Sequence, residues 1–345
     1  MLDFNPANER TKHRYFRVMR EARGYAETTI TQAARNILEF ERSTGFEPFS
    51  GFNEDQAIKF KERLRTAKTQ RDKRPVSAAS VRTKILDVQK FFRWYIENLP
   101  RGVKIQKDHI DFLSPSRQEL ALSKTSTNQK TIPTLKQCER LMQVMPSASG
   151  KDKRSRALIA MLCLTACRVT ALSQIPIGAV DLERKVLFQN AQIIKTKADK
   201  SIATPFMPVG EVFENELESW ITYLQDEMLF GPNDPLFPKL EVKATAQNGF
   251  TSAGLGRDYI KSPNSLTKLV GDIFEDHRLP RTSPHRFRDM IVSWAANARL
   301  ETEQFRVVSM ALGHEDLSTT LTSYGKPTAE QSIRVMADLR KSFKN

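Results

Sequence analysis

The residues best suited to chemistry cluster in the last quarter of the chain. Ser283-Pro284-His285-Arg286-Phe287-Arg288-Asp289 is followed by Leu312-Gly313-His314 and then by Tyr324. Two histidines, Arg288 and a tyrosine thus fall between positions 285 and 324, in a chain with five histidines and six tyrosines. Serine before proline reads as an N-cap with proline in the first turn, so a helix starts here. His285 and Arg288 are three apart and share one face of that helix. Gly313 ends a further helix running from about Glu303 to Leu312, with His314 at its cap. An imidazole and a guanidinium on one helix face, and a second imidazole at a helix cap, can gather around one anion.

The order His-x-x-Arg, Leu-Gly-His and then a tyrosine resembles the tyrosine recombinase, or phage-integrase-like, family. In that family a first arginine lies in a Thr-Gly-Leu-Arg-like turn more than a hundred residues earlier. Here Thr165-Ala166-Cys167-Arg168 occupies the equivalent place. The likeness runs from about Ala26 to the C-terminus. One such motif is a weak signal, and four in the same order are a strong one.

The resemblance implies a site-specific DNA recombinase that cuts and rejoins strands through a 3′-phosphotyrosyl link, with no metal, cofactor or ATP. Tyr324 would be the nucleophile. A phenol with a free pKa of about 10 is weak at neutral pH unless its proton is taken or its anion stabilised. Arg168 and Arg288 would grip the nonbridging phosphate oxygens and offset developing charge. His285 would do acid/base work on the tyrosine proton, and His314 would donate a hydrogen bond to the phosphate. Lys197, in the turn of a small antiparallel sheet, would protonate the departing 5′-oxygen. Lys195 is the alternative for that role, and Lys200 matches a second, non-catalytic turn lysine. The family also implies a homotetramer on two DNA duplexes, with the C-terminal helix docking on a neighbour or folding back on its own domain. Three positions depart from the family pattern. Ala171 stands where an acid commonly follows the first arginine, Asp289 where histidine is frequent, and Tyr324 lies ten rather than nine residues past His314. Two other readings are a type IB topoisomerase, which makes the same covalent link, and a non-catalytic DNA-binding accessory protein. The complete set of charged groups argues against the second.

These groups need elements to hold them. A chain of 345 residues exceeds one typical core, so two domains are the default. Residues 1–25 carry Arg10, Lys12, Arg14, Arg17, Arg20 and Arg23 with Tyr15 and Phe16 between them, and read as a basic arm ordered on its partner. Helical periods at about Thr28–Ser43, from Asn53, and at about Ala78–Glu97 predict an all-helical core-binding, DNA-binding domain over 26–105. Proline, serine and threonine then replace the apolar period, which makes 106–131 a linker. The catalytic domain follows over 132–345. It opens with a capping box at Thr134 and Gln137 and has a strongly apolar helix ending near Thr165. Short strands are expected at 185–189 and 202–206, with further helices at about Gly210–Phe230 and Ser265–His277. Residues 231–264, rich in Gly, Pro, Asn and Ser, read as a long loop closing over DNA. The expected fold is multidomain and mainly α: an N-terminal all-helical domain, then an α-rich domain with a small antiparallel β-sheet.

Composition narrows the partners. The net charge is +14 and the pI about 9.7. Residues 1–131 hold 26 Lys and Arg against 16 Asp and Glu, a net of +10 that leaves +4 for the rest. Such an excess suits a polyanion, double-stranded DNA above all and an anionic membrane surface second. No apolar run is long enough to span a bilayer, and the first residues lack the apolar core of a signal peptide. The expected location is cytoplasmic and nucleoid-associated. Cys138, Cys163 and Cys167 make no disulfide framework, and the pair at 163 and 167 reads as core rather than as a metal site.

Overall fold

The computed structural model describes residues 4–69, 73–117, 120–121, 131–194, 201–245, 249–298 and 300–313. The chain divides into two compact units, Met1–Gln129 and Lys130–Asn345. Each has its own apolar core. The fold is mainly helical with small antiparallel sheets, as the sequence implies. Among the described residues no helix is long and apolar enough to cross a membrane.

The first unit is helical throughout. Helix α1, Pro6–Arg17, is capped by the Asn5 side chain, which accepts from the Ala7 and Asn8 N–H groups, and it continues into a π-helical turn at Val18–Ala22. Helices α2 (Glu27–Ser43), α3 (Glu54–Thr66) and α4 (Ala78–Glu97) follow. Their inward faces meet in a cluster of rings, with Phe40 edge-on to Phe60 and Phe92, and Phe52 stacked on Phe92 at 3.8 Å. Edge and offset contacts of this kind add to the burial of the rings themselves.

Two expectations change here. The segment 1–25 is not an arm awaiting a partner. Tyr15 and Met19, one helical turn apart, are buried, and the Tyr15 ring packs on Phe91 and Trp94 at 5.2 and 5.0 Å. Lys12 belongs to the interior as well, paired at 2.6 Å with the fully buried Glu41. The run of basic residues hid an apolar face of only a few side chains. The stretch 106–131 is not linker from its start either. Lys107–Leu113 is a 3₁₀ helix that buries Ile110 and Leu113 in the first core. Residues three apart share a side of a 3₁₀ helix, a period too short-lived to show in sequence.

The second unit is built around one buried helix, Gly150–Thr165. Helix α5, Leu135–Val144, starts with the expected Thr134–Gln137 box. Helix α6, Gly150–Thr165, starts with a second box of Ser149 and Asp152 and is buried on every side from Ala157 to Thr165. A four-residue helix α7, Val169–Leu172, follows directly. Strands β1 (Val180–Asp181), β2 (Val186–Gln189) and β3 (Ile202–Pro205) form an antiparallel sheet in that order, with Leu187 opposite Thr204. Helix α8, Glu211–Thr222, lays Phe213, Leu217 and Trp220 into the core, and the Trp220 ring N–H donates to the Leu236 carbonyl at 2.8 Å.

The stretch 231–264 is not one loop. It contains a hairpin of β4, Leu240–Thr245, and β5, Gly249–Leu255, with a register shift at Glu241/Val242. Turn-forming residues at both ends of the stretch obscured two strands of modest apolar content. Helices α9 (Pro263–Asp276), α10 (Pro284–Asn297) and α11 (Thr302–Ala311) complete the described chain.

Candidate active site

The site begins where α6 ends. Ala166 adopts a left-handed conformation, φ +45°, and returns its N–H to the Leu162 carbonyl. The chain reverses there and leaves Arg168 as the extended N-cap residue of α7, half-buried. Helix α10 starts at Pro284, so His285 lies in its first turn, exposed, and Arg288 one turn on, buried with 5% exposure. The Arg288 guanidinium donates through Nη1 to the Ala166 carbonyl at 3.0 Å and through Nη2 to the Leu312 carbonyl. Arg288 thereby ties the turn after α6 to the end of α11.

Gly313 closes α11 in the left-handed region, φ +65°, with its N–H on the Met310 carbonyl at 2.7 Å. A Cβ at Gly313 would stand 3.2 Å from Arg168 Nη1 and 3.4 Å from Ile202 Cδ1. The Arg168 guanidinium therefore rests against bare backbone one residue before His314. Strand β3 joins the same corner. Thr204 Oγ1 donates to the Ala311 carbonyl at 3.3 Å and accepts from Gln189 Nε2 at 3.2 Å.

The electrostatics follow from this crowding. Burial pushes the Arg288 pKa down to about 10, and the nearby charge of Arg168 pushes in the same direction. Burial also lowers the Arg168 pKa. Both stay protonated near neutral pH, because arginine starts so high. Asp289 is held by Arg286 in an i,i+3 ion pair, and Arg168 has no ion pair among the described residues. Two like charges gathered in a partly dry corner disfavour each other unless an anion sits between them.

Arg168, Arg288 and the backbone leading into His314 are thus brought together, and His285 is on the same helix as Arg288, three residues away. His314, Tyr324, Lys197 and its alternative Lys195 lie outside the described residues, as do Lys200 and the C-terminal helix. Sequence reading missed what anchors Arg288: the carbonyls of Ala166 and Leu312, which carry no side-chain signature. It also read Gly313 only as a helix stop, not as the surface on which Arg168 lies. Among the described residues no group of His, Cys, Asp or Glu is arranged to hold a metal ion. All three cysteines are buried.

The sequence pattern of the phage integrase family matches residues 133–331, a span that takes in every candidate from Arg168 to Tyr324. The chain belongs to the phage integrase family. It is a DNA strand-breaking and rejoining enzyme of the tyrosine recombinase kind. Solved structures of phage integrases and related recombinases share its fold. The Tn1549 transposon integrase in complex with transposon right end DNA is similar with a TM-score of 0.64 at 16% identity, covering 96% of this chain and 99% of that one. A lambda integrase dimer bound to a COC′ core site gives 0.63 at 14% identity, covering 92% and 96%. The XerH site-specific recombinase bound to its difH substrate in a pre-cleavage complex gives 0.57 at 17% identity, covering 94% and 84%. A search of curated proteins finds no match.

Proposed function

We propose that this integrase is a site-specific recombinase acting on double-stranded DNA through a 3′-phosphotyrosyl intermediate, with Arg168, Lys197, His285, Arg288, His314 and Tyr324 as its catalytic set. The observation that carries the reading is the gathering of Arg168 and Arg288 at one corner, each depressed in pKa, with Arg288 held by two backbone carbonyls and Arg168 lying against the backbone at Gly313. Such a corner favours a group that arrives with negative charge and gains more in the transition state.

In the proposed reaction the Tyr324 hydroxyl oxygen attacks the scissile phosphorus and gives up its proton with His285 as base. The bond from phosphorus to the 5′-oxygen breaks as the new ester forms, and Lys197 protonates the departing oxygen. Arg168 and Arg288 hold the nonbridging oxygens throughout, helped by a hydrogen bond from His314. The phosphotyrosyl ester keeps the energy of the broken bond, so a 5′-hydroxyl from another end reverses the same steps and joins the strands. No step calls for water, ATP or a metal. In the proposed assembly four protomers act on two duplexes, and the two units of each protomer both contact DNA.

Trapping the covalent adduct on a nicked cognate site tests this, because the short released strand diffuses away and religation stops. Denaturing electrophoresis should show protein attached to the 3′ side of the cut. Tyr324→Phe removes one hydroxyl and should abolish the adduct while leaving DNA affinity nearly unchanged. An adduct that persists in Tyr324→Phe assigns the nucleophile elsewhere. Cleavage that stops on chelation of divalent metal points to a different nuclease mechanism.

A further inference from the structure

The second unit contains another gathering of positive charge, built around the first turns of α6 rather than the turn that follows its last. A cavity of about 410 Å³ lies between α6, the start of β4 and the first turn of α9. Arg154 of α6 lines it and is 94% buried. Its Nη1 donates to the Pro238 carbonyl at 2.6 Å, and among the described residues its Nε has no hydrogen-bond partner. Among the described residues it has no carboxylate partner. Burial pushes its pKa down to about 10, so a guanidinium is kept here against its solvation preference.

The rest of the wall points the same way. Lys239 and Lys261 stand at the exposed rim, and no carboxylate is among the lining residues. The N-terminus of α9, a helix of 14 residues, opens into the cavity with Ser262 and Ser265. Ser262 is the N-cap residue, but its side chain makes no capping bond, and the Ser265 hydroxyl donates to the Ser262 carbonyl at 2.6 Å. Pro263 has no N–H and the Ser265 N–H donates to the Ser262 carbonyl at 3.1 Å, so what the helix offers an entering group is chiefly the positive end of its dipole, which favours an anion. A buried charge without a counter-charge is costly, and an entering oxyanion would repay that cost.

We propose that this cavity is a second phosphate-binding site, with Arg154 at its floor and Lys239, Lys261 and the α9 N-terminus around its mouth. Apolar side chains, including the buried Leu266, form the remaining wall. The space is larger than a bare phosphate needs. That favours a phosphate carried on a sugar, as in a DNA backbone phosphate away from the cleaved position. Free inorganic phosphate has the same recognition chemistry. The assignment goes beyond the cleavage reaction and stands whether or not Tyr324 is the nucleophile.

Titrating inorganic phosphate into the full chain at low ionic strength, followed by calorimetry, should resolve two classes of site. Arg288→Ala should remove one of them. The double variant Lys239→Ala/Lys261→Ala, which leaves the buried Arg154 and its bond to Pro238 in place, should weaken the other about tenfold, as expected for lost charge-assisted contacts. Arg154→Gln should remove that class altogether, and circular dichroism checks that it is folded. Adding a saturating duplex to the Tyr324→Phe protein separates the two sources. Release of phosphate from the second class names the DNA backbone as occupant, whereas retention names free phosphate. A single class of site, lost in Arg288→Ala and unchanged in the Lys239→Ala/Lys261→Ala protein, overturns the proposal.

Discussion

Arg288 is a cation stored inside the protein at a cost. Burial pushes its pKa down to about 10, so folding disfavours its charged form. That penalty is fully present below pH 10 and is relieved only as the pH rises past it. Stability therefore should not vary with pH between 6 and 9 on account of this residue. A depression of that size costs on the order of 3 kcal/mol. The bonds to the Ala166 and Leu312 carbonyls offset part of this, at about 1 kcal/mol each, so the true cost is smaller. Replacing the guanidinium by an apolar chain of similar length removes the penalty and the bonds together. Arg288→Met should consequently unfold in urea within about 1 kcal/mol of the wild type at pH 7. Its cleavage rate should nevertheless fall about 100- to 1,000-fold, the effect of losing one donor to developing charge. A stability loss above about 2 kcal/mol would make Arg288 a structural pin first.

The elements holding this corner were legible to very different degrees. Helix α4 is read from sequence to its end residues, since Val81, Ile85, Val88, Phe92 and Tyr95 repeat along one face; the structure adds the Ser77 cap at its start. The Thr134 box, the Pro284 start and the Gly313 stop were equally plain, because capping and left-handed turns select few residue types. Elements with short or mixed apolar faces escaped: α1 behind its basic residues, the 3₁₀ helix at Lys107–Leu113, and the β4–β5 hairpin between turn signals. At the site, motif order paired Arg168 with Arg288, but contacts made by backbone atoms have no spelling in sequence. Gly313 shows the consequence. An alanine there carries the left-handed penalty of about 1–2 kcal/mol, and its Cβ would also press on Arg168 Nη1 at 3.2 Å. Gly45 has the same φ of +65° with nothing within 4 Å of a built Cβ. Gly313→Ala and Gly45→Ala should therefore lose similar stability in chemical denaturation. Only Gly313→Ala should lose cleavage at saturating DNA, by about tenfold or more, as a misplaced catalytic group does. Equal cleavage in the two variants would show that Arg168 does not depend on bare backbone at Gly313.

At the scale of the whole molecule, charge and folding are partitioned alike. Among the described residues the apolar cluster of the first unit runs no further than Leu113, and that of the second starts at Leu135. Most of the net positive charge belongs to the first part, with +10 in residues 1–131 against +4 in the remainder. Phosphates neutralised by lysine and arginine release counterions, and the salt dependence of binding counts them at about −0.9 per contact in a log–log plot. A protein trimmed to residues 130–345 should keep its core and melt cooperatively. It should bind a duplex much more weakly than the full chain, and its salt slope should be shallower by about 3 or more, reflecting several lost phosphate contacts. Fluorescence anisotropy with one duplex at a series of salt concentrations measures both quantities. If the trimmed protein keeps the slope of the full chain, the basic first unit is solvated surface rather than DNA-contacting surface. If the trimmed protein does not fold, the second unit depends on contacts that its own apolar cluster does not contain.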